Sequence, residues 1–345
     1  MTVVVKLGTS LVAGSGGRVR RSVLRARAAE IGAVVGGGEP VVVVSSGAIA
    51  LGLPYLGLDH RPRSVPKLQA ASALGQARLQ QAWEQALARE GLHAAQILLT
   101  AGDLADRAAY VNARNALEAL FGLRAVPVVN ENDATATDEI AFGDNDALAA
   151  HVALLVRARL LVLLTEVEGV FTRAPGTPGA ELVSDGSALG DAALGEASRL
   201  GRGGMRSKVL AARMAAAGGV PTVIAAGAGP SVLGPILAGE PRGTRFQGDA
   251  GGLSAYKLWL RFGKPVAGRV HVDEGARRAV AEEGRSLLAV GVVSCEGRFE
   301  AGDAVELVDR DGAAFAKGVA SASGPELSGR PRGVEAVHRD RLVVY

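Results

Sequence analysis

The sequence predicts an α/β protein of two domains. The first is a three-layer αβα sandwich on a mainly parallel sheet over residues 1–250, and the second is a small β-rich domain over 251–345. Three observations carry this. A length of 345 residues exceeds what one domain usually needs. Short β-branched runs alternate with helical segments through the first 250 residues, as in parallel sheets covered on both faces. After Gly248 the texture changes to short strand-like runs between turn signals, with Gly251-Gly252 read as a linker and the boundary soft over about 248–265.

Taken in order, Val3–Lys6 and Pro40–Ser45 read as buried parallel strands that end in small residues. Between them, Ser22–Val35 has helical periodicity, Ser22 at a plausible N-cap and a stop at Gly36-Gly37-Gly38, which makes a βαβ unit. Ser64–Glu90 follows as a long helix, Ala94–Leu99 as a strand, Asn112–Phe121 as a helix and Ala125–Val129 as a strand. Asn145–Val156 is helical, Leu160–Thr165 a strand, Met205–Ala217 a helix and Thr222–Ala226 a strand. In the second domain Ala267–Val272, Ala304–Val308 and Arg341–Tyr345 read as strands.

Composition excludes several classes of function. With 48% hydrophobic and 21% charged residues the chain is not disordered. The net charge is +3, split as +2 before residue 254 and +1 after it, so neither part is a concentrated basic surface. Cys295 has no second cysteine to pair with, which points to a reducing cytoplasm. The start lacks a basic region ahead of its apolar run, and Val152–Leu164 is broken by Arg157 and Arg159, so neither a secretory signal nor a membrane span is expected. His60, His93, His151, His271 and His338 have no ligand spacing, which does not support a zinc site. Arginine outnumbers lysine 32 to 6, so a lysine in a glycine-rich context stands out.

Four strand exits are unusual, and in an open α/β sheet ligands sit beyond the carboxyl ends of the strands. Val5-Lys6-Leu7-Gly8-Thr9-Ser10 can aim an ammonium and several amides at a phosphate; its ordinary reading is a lysine reaching water. Ser45-Ser46-Gly47-Ala48 opens a helix through small residues and suits an anion, or is simply a serine cap. Asn130-Glu131-Asn132-Asp133 and Gly143-Asp144-Asn145-Asp146 are too densely polar for plain turns. They can hold an ammonium, orient lysines or recruit Mg²⁺ beside a nucleotide, whereas the spacing excludes an EF-hand. Gly201-Arg202-Gly203-Gly204-Met205-Arg206-Ser207-Lys208 has the logic of a phosphate cradle without the P-loop pattern, and its ordinary reading is a flexible glycine loop.

In their joint order the strings VKLGTS, SSGAIA, NENDATAT, GDND and GGMxSK resemble the glutamate 5-kinase branch of the amino acid kinase family, followed by a PUA domain. The resemblance covers nearly the whole chain and implies that the second domain is a PUA-like barrel. It implies that Lys6 and Lys208 contact the transferring phosphoryl group and that Asp146 holds the lysines in place. Ser46, Asp133 and Asn145 would bind glutamate. Thr165 and Glu166 would lie at the nucleotide, as would Lys6 and the loop of Arg202, Gly203, Gly204, Met205, Arg206, Ser207 and Lys208. Three departures stand out: Glu166 where the family usually has aspartate, Arg202 and Arg206 where it has small residues, and a shortened stretch between Ser321 and Val334.

The activity so implied is ATP-dependent phosphorylation of the γ-carboxylate of L-glutamate, the opening step of proline synthesis. ATP brings Mg²⁺, for which no ligand residue is assigned. The resemblance further implies feedback inhibition by proline at a site overlapping that of glutamate, and assembly as homodimers or homotetramers. PUA domains elsewhere occur on RNA-modifying enzymes, but the near-neutral balance of residues 255–345 argues against tight binding to an RNA backbone.

Overall fold

The computed structural model describes the chain except for residues 136–144, 190–203, 250–254, 263 and 265. It forms two compact units, Met1–Gly252 and Leu253–Tyr345. The expected linker, Gly251-Gly252, lies outside the described residues. No described helix is long and apolar enough to cross a membrane.

Among the described residues, seven strands make the sheet of the first unit: β1 (Val3–Leu7), β2 (Val41–Ser45), β3 (Ala94–Leu99), β4 (Val126–Glu131), β5 (Leu160–Thr165), β6 (Thr222–Ala226) and β7 (Thr244–Phe246). Their order is β3-β4-β2-β1-β5-β6-β7, parallel except for β7. The chain leaves β1 for β2 on one side and returns to β5 on the other, so the strand order reverses at the exit of β1. That is where an open α/β sheet opens a crevice.

β1 is buried at all five positions. Alternate residues of the strand point to opposite faces. Val3, Val5 and Leu7 join one core with Leu24, Ala28 and Ile31 of α2 (Arg21–Gly36) and Leu79 and Trp83 of α4 (Val65–Leu87). The opposite face packs against α7 (Asn145–Leu155) and, at β5 and β6, against α8 (Gly204–Ala217). Between β2 and α4 lies α3 (Ala48–Gly52), which crosses α4 so closely that a Cβ on Gly75 would stand 1.8 Å from the Ala48 carbonyl oxygen. Only glycine fits at such a crossing.

Several expectations need correction. The helix read over Ser22–Val35 starts at Arg21, with Ser22 inside the first turn and no side-chain cap; the Leu24 N–H already bonds the Arg20 carbonyl at 3.2 Å. The helix read from Asn112 starts at Arg107, because the Asp106 carboxylate accepts the Ala109 N–H at 2.8 Å and caps it there. β4 runs on through Glu131, so Asn130 belongs to a strand and is 2% exposed. β7, three residues long, went unread because it is too short to show alternation.

The second unit is a curled six-stranded sheet of β8 (Val266–Val272), β9 (Leu287–Leu288), β10 (Val292–Gly297), β11 (Ala304–Val308), β12 (Ala314–Ala320) and β13 (Glu335–Val344). The order is β10-β8-β11-β12-β13-β9, antiparallel except for β8 with β11. The run read as Arg341–Tyr345 is the end of β13. Helices over Ala255–Phe262 and Glu274–Ala281 are additions to the β-rich expectation.

Candidate active site

Because Val5 and Leu7 face the α2 and α4 side, Lys6 between them faces α7. Its Nζ donates to Asp146 Oδ1 in the first turn of α7. From α8, Lys208 Nζ donates to Asp146 Oδ2 at 3.1 Å and Ser207 Oγ donates to the same oxygen at 2.9 Å. Lys208 Nζ also reaches the Gly204 carbonyl at 3.2 Å. Burial by itself would raise the Asp146 carboxyl, but the Lys6 and Lys208 ammonium groups and their hydrogen bonds outweigh it and hold it at about 2. Two ammonium groups against one carboxylate sum to a single positive charge, which suits an anion.

Beside this cluster lies a cavity of about 200 Å³, lined in part by Thr9, Ser46, Arg61, Asn130, Asp133 and Asn145. It sits beyond the exits of β1, β2 and β4. Gly47, at φ +117°, turns the chain from β2 into α3. A Cβ there would approach Val12 Cγ1 to 3.0 Å, so the turn needs glycine. Asn145 Nδ2 donates to Asn130 Oδ1 at 2.6 Å, to Ser46 Oγ at 3.1 Å and to the Ser45 carbonyl at 3.3 Å. Asp133 accepts from Ser72 Oγ of α4. Burial pushes the Asp133 carboxyl up, against the pull of the Ser72 hydrogen bond and the Arg61 charge. A cation placed against that carboxylate would relieve the cost of burying it.

The structure thus gathers Lys6, Asp146, Ser207 and Lys208 into one cluster and Ser46, Asp133 and Asn145 around one cavity. The two are joined covalently, since Asn145 and Asp146 are consecutive and turn to different sides of one helix start. Thr165 ends β5, and its carbonyl accepts the Gly227 N–H at 2.8 Å. The Glu166 side chain is 56% exposed and 3.9 Å from Arg20. Gly204 and Arg206 are exposed in the first turn of α8 and Met205 is half-buried. Arg202, Gly203, Gly143 and Asp144 lie outside the described residues.

Sequence reading missed the layer behind the cavity. Ser72, Gln76 and Trp83 lie on one buried stripe of α4, where Asn130 Nδ2 donates to Gln76 Oε1 at 2.7 Å and Trp83 Nε1 donates to Ser45 Oγ at 2.9 Å. The available signal was two polar residues, Ser72 and Gln76, spaced i, i+4 along a stripe that is otherwise Leu68, Ala71, Gly75 and Leu79.

The model of the amino acid kinase family matches residues 1–226, well over half of the chain. The chain belongs to the amino acid kinase family. A PUA domain matches residues 268–339. Relatives of this amino acid kinase include the glutamate 5-kinase of Acinetobacter baumannii strain SDF, 41% identical over 361 aligned positions covering 99% of this chain and 96% of that protein. The glutamate 5-kinase of Chromohalobacter salexigens is 44% identical, covering 99% and 95%. That of Burkholderia mallei strain SAVP1 is 43% identical, covering 99% and 97%. A solved structure of isopentenyl phosphate kinase superposes with a TM-score of 0.50 at 23% identity, over 72% of this chain and all of that one, a likeness of fold.

Proposed function

We propose that this amino acid kinase transfers the γ-phosphoryl group of ATP to the γ-carboxylate of L-glutamate, giving L-glutamyl 5-phosphate and ADP, the opening step of proline synthesis. The observation that carries the reading is the shared helix start. Asn145 serves a cavity with a carboxylate and amides suited to an amino acid, and Asp146 next to it clasps two lysines suited to a phosphoryl group. The activity named in relatives 41–44% identical over 99% of the chain supports it.

Little covalent chemistry is required of the protein. A carboxylate acceptor is already ionised at neutral pH, so no general base is needed. The enzyme has to bring an acceptor oxygen in line with the γ-phosphorus and meet the charge on the equatorial oxygens. Lys6 and Lys208 supply that charge, and Asp146 fixes where they point. Asp133 receives the α-ammonium of glutamate, with Ser46 and Asn145 beside it. Thr165, Glu166, Met205, Arg206 and Ser207, with Gly204, are assigned to the nucleotide side. Among the described residues no three His, Cys, Asp or Glu side chains converge to hold a metal. The two lysines by themselves do not balance a triphosphate, so Mg²⁺ would accompany the nucleotide and would neutralise the remaining charge. Proline, which carries its own ammonium, would compete at the Asp133 cavity.

A coupled ADP-release assay across L-glutamate, N-acetyl-L-glutamate and L-aspartate tests the reading. Turnover is expected with L-glutamate alone. N-acetylation removes the ammonium and leaves buried acceptors unpaired, so comparable turnover of N-acetyl-L-glutamate overturns the assignment of Asp133.

A further inference from the structure

The carboxamide of Asn145 can be oriented from its surroundings. Its terminal atom 3.3 Å from the Ser45 carbonyl oxygen must be the nitrogen, because a carbonyl can only accept. That same nitrogen is 2.6 Å from a side-chain atom of Asn130, which must then be the Asn130 oxygen. The Asn130 nitrogen is therefore at the other end, 2.7 Å from Gln76, and the Gln76 atom that meets it must be an oxygen. One backbone carbonyl thus reveals the direction of three successive amides, and the acceptors Ser45 and Gln76 hold the two ends of that chain.

The last of them carries a cost. With its oxygen given to Asn130, Gln76 buries Nε2 with no hydrogen-bond partner among the described residues. On a stripe that also buries Leu68, Ala71, Leu79 and Trp83, an apolar side chain would avoid this. What Gln76 adds, and leucine could not, is an acceptor for Asn130. At the cavity end, Asn145 has committed Nδ2 to three acceptors, while its Oδ1 makes no hydrogen bond among the described residues and belongs to a cavity-lining residue.

We infer that Gln76 is a positioning residue for amino acid recognition: through Asn130 it keeps the Asn145 oxygen, rather than the nitrogen, turned to the substrate ammonium. An oxygen there adds to the Asp133 carboxylate as an acceptor, whereas an NH₂ group would oppose the ammonium. The inference rests on the reading of the cavity as the glutamate site.

The test compares the full-length chain with Gln76→Met and Gln76→Glu in steady-state kinetics. The acceptors are L-glutamate and glutarate, which keeps the carboxylates but lacks the ammonium; glutarate is followed as substrate or as competitive inhibitor. Gln76→Met is expected to raise the glutamate KM about tenfold, leave kcat and the ATP KM within about twofold, and leave glutarate unaffected. Gln76→Glu restores an acceptor to Asn130 and is expected to hold the glutamate KM within about threefold of wild type. A wild-type glutamate KM in Gln76→Met overturns the inference, as does an equal loss for glutamate and glutarate, which assigns Gln76 to packing. Should Gln76→Met fail to fold, Gln76→Leu, with a side chain already common along this stripe, takes its place with the same expected results. A wild-type chain that turns over other acceptors but not L-glutamate overturns the reading of the cavity itself, an outcome distinct from either result with the variants.

Discussion

The cavity and the lysine cluster share the first turn of α7, yet they are made of different materials. Lys6, Asp146 and Lys208 are three formal charges at 4%, 2% and 9% exposure, with Asp146 holding both lysines. Gln76, Asn130, Asn145 and Ser46 are neutral groups held in one direction, and among the described residues Asp133, Glu131 and Arg61 supply the charge of the cavity lining. The difference matches the two tasks proposed for them. Charge on a phosphoryl group is redistributed as its bond breaks, and fixed cations gain most in the transition state. Recognition of an amino acid needs donors and acceptors aimed correctly from the outset, which locked amides supply without burying further charge.

The comparison breaks most visibly at Lys208. Lys208→Met is expected to lower kcat by about 10²–10³-fold, with the glutamate KM little changed. Lys6→Met should do likewise, and the pair should be less than additive because both lysines meet one carboxylate. Arg206 is exposed, so adding Arg206→Ala should change little further. A wild-type kcat in Lys208→Met would make the cluster a structural ion pair.

On the cavity side, Asp133→Ala should raise the glutamate KM by about 10- to 100-fold, the scale of a lost charged hydrogen bond, with the ATP KM nearly unchanged. The reverse pattern in steady-state kinetics would move Asp133 to the nucleotide.

Acid should separate the two regions. Asp146 is held at about 2, so the lysine cluster keeps its carboxylate until strongly acid pH. Asp133 is pushed above its usual range by burial, so it takes up its proton first as pH falls. The glutamate KM is therefore expected to rise on acidification before kcat falls from loss of the cluster, in the order of the two carboxyl groups. Asp133→Asn, which has no proton to take up there, should remove the part of the KM rise that belongs to the enzyme rather than to glutamate. An unchanged pH profile in that variant would sink the assignment.

The smallest effect is expected from removing the second unit. Every group placed in the cluster or around the cavity lies at or before Lys208, within the first compact unit. A chain ending at Gly248 should keep kinase activity in the ADP-release assay, and a folded, soluble truncation without activity would make the second unit part of the catalytic apparatus.

Much of the fold is legible because it is written in contiguous residues. Val3–Lys6, Leu160–Thr165 and Thr222–Ala226 are apolar runs of the right length for buried strands, and each is a strand of the parallel sheet. Boundaries are less legible. Ser22 has the chemistry of a cap, but the Arg20 carbonyl starts the helix a residue before it. In the second unit, Glu274–Ala281 went unread although the Asp273 carboxylate caps it by accepting the Ala276 N–H at 2.8 Å, because eight residues give too few turns for a period to show.

The site divides along the same line. Lys6, Asp133, Asn145, Asp146 and Lys208 stand out by themselves, because charged and amide residues crowded at strand exits and glycine loops are chemically out of place in ordinary turns. Their partnerships do not. Lys6 and Asp146 are 140 residues apart, Asn130 and Gln76 are 54 apart, and Ser72 and Asp133 are 61 apart. The sequence by itself determined which strand exits are candidates for chemistry, since that depends on local composition and spacing. Only the tertiary structure decided that Ser207 joins the lysines on Asp146 and which end of Asn145 the cavity receives. Those depend on side chains from separate elements meeting within about 3 Å, and on the acceptors at Ser45 and Gln76 that hold the two ends of the amide chain.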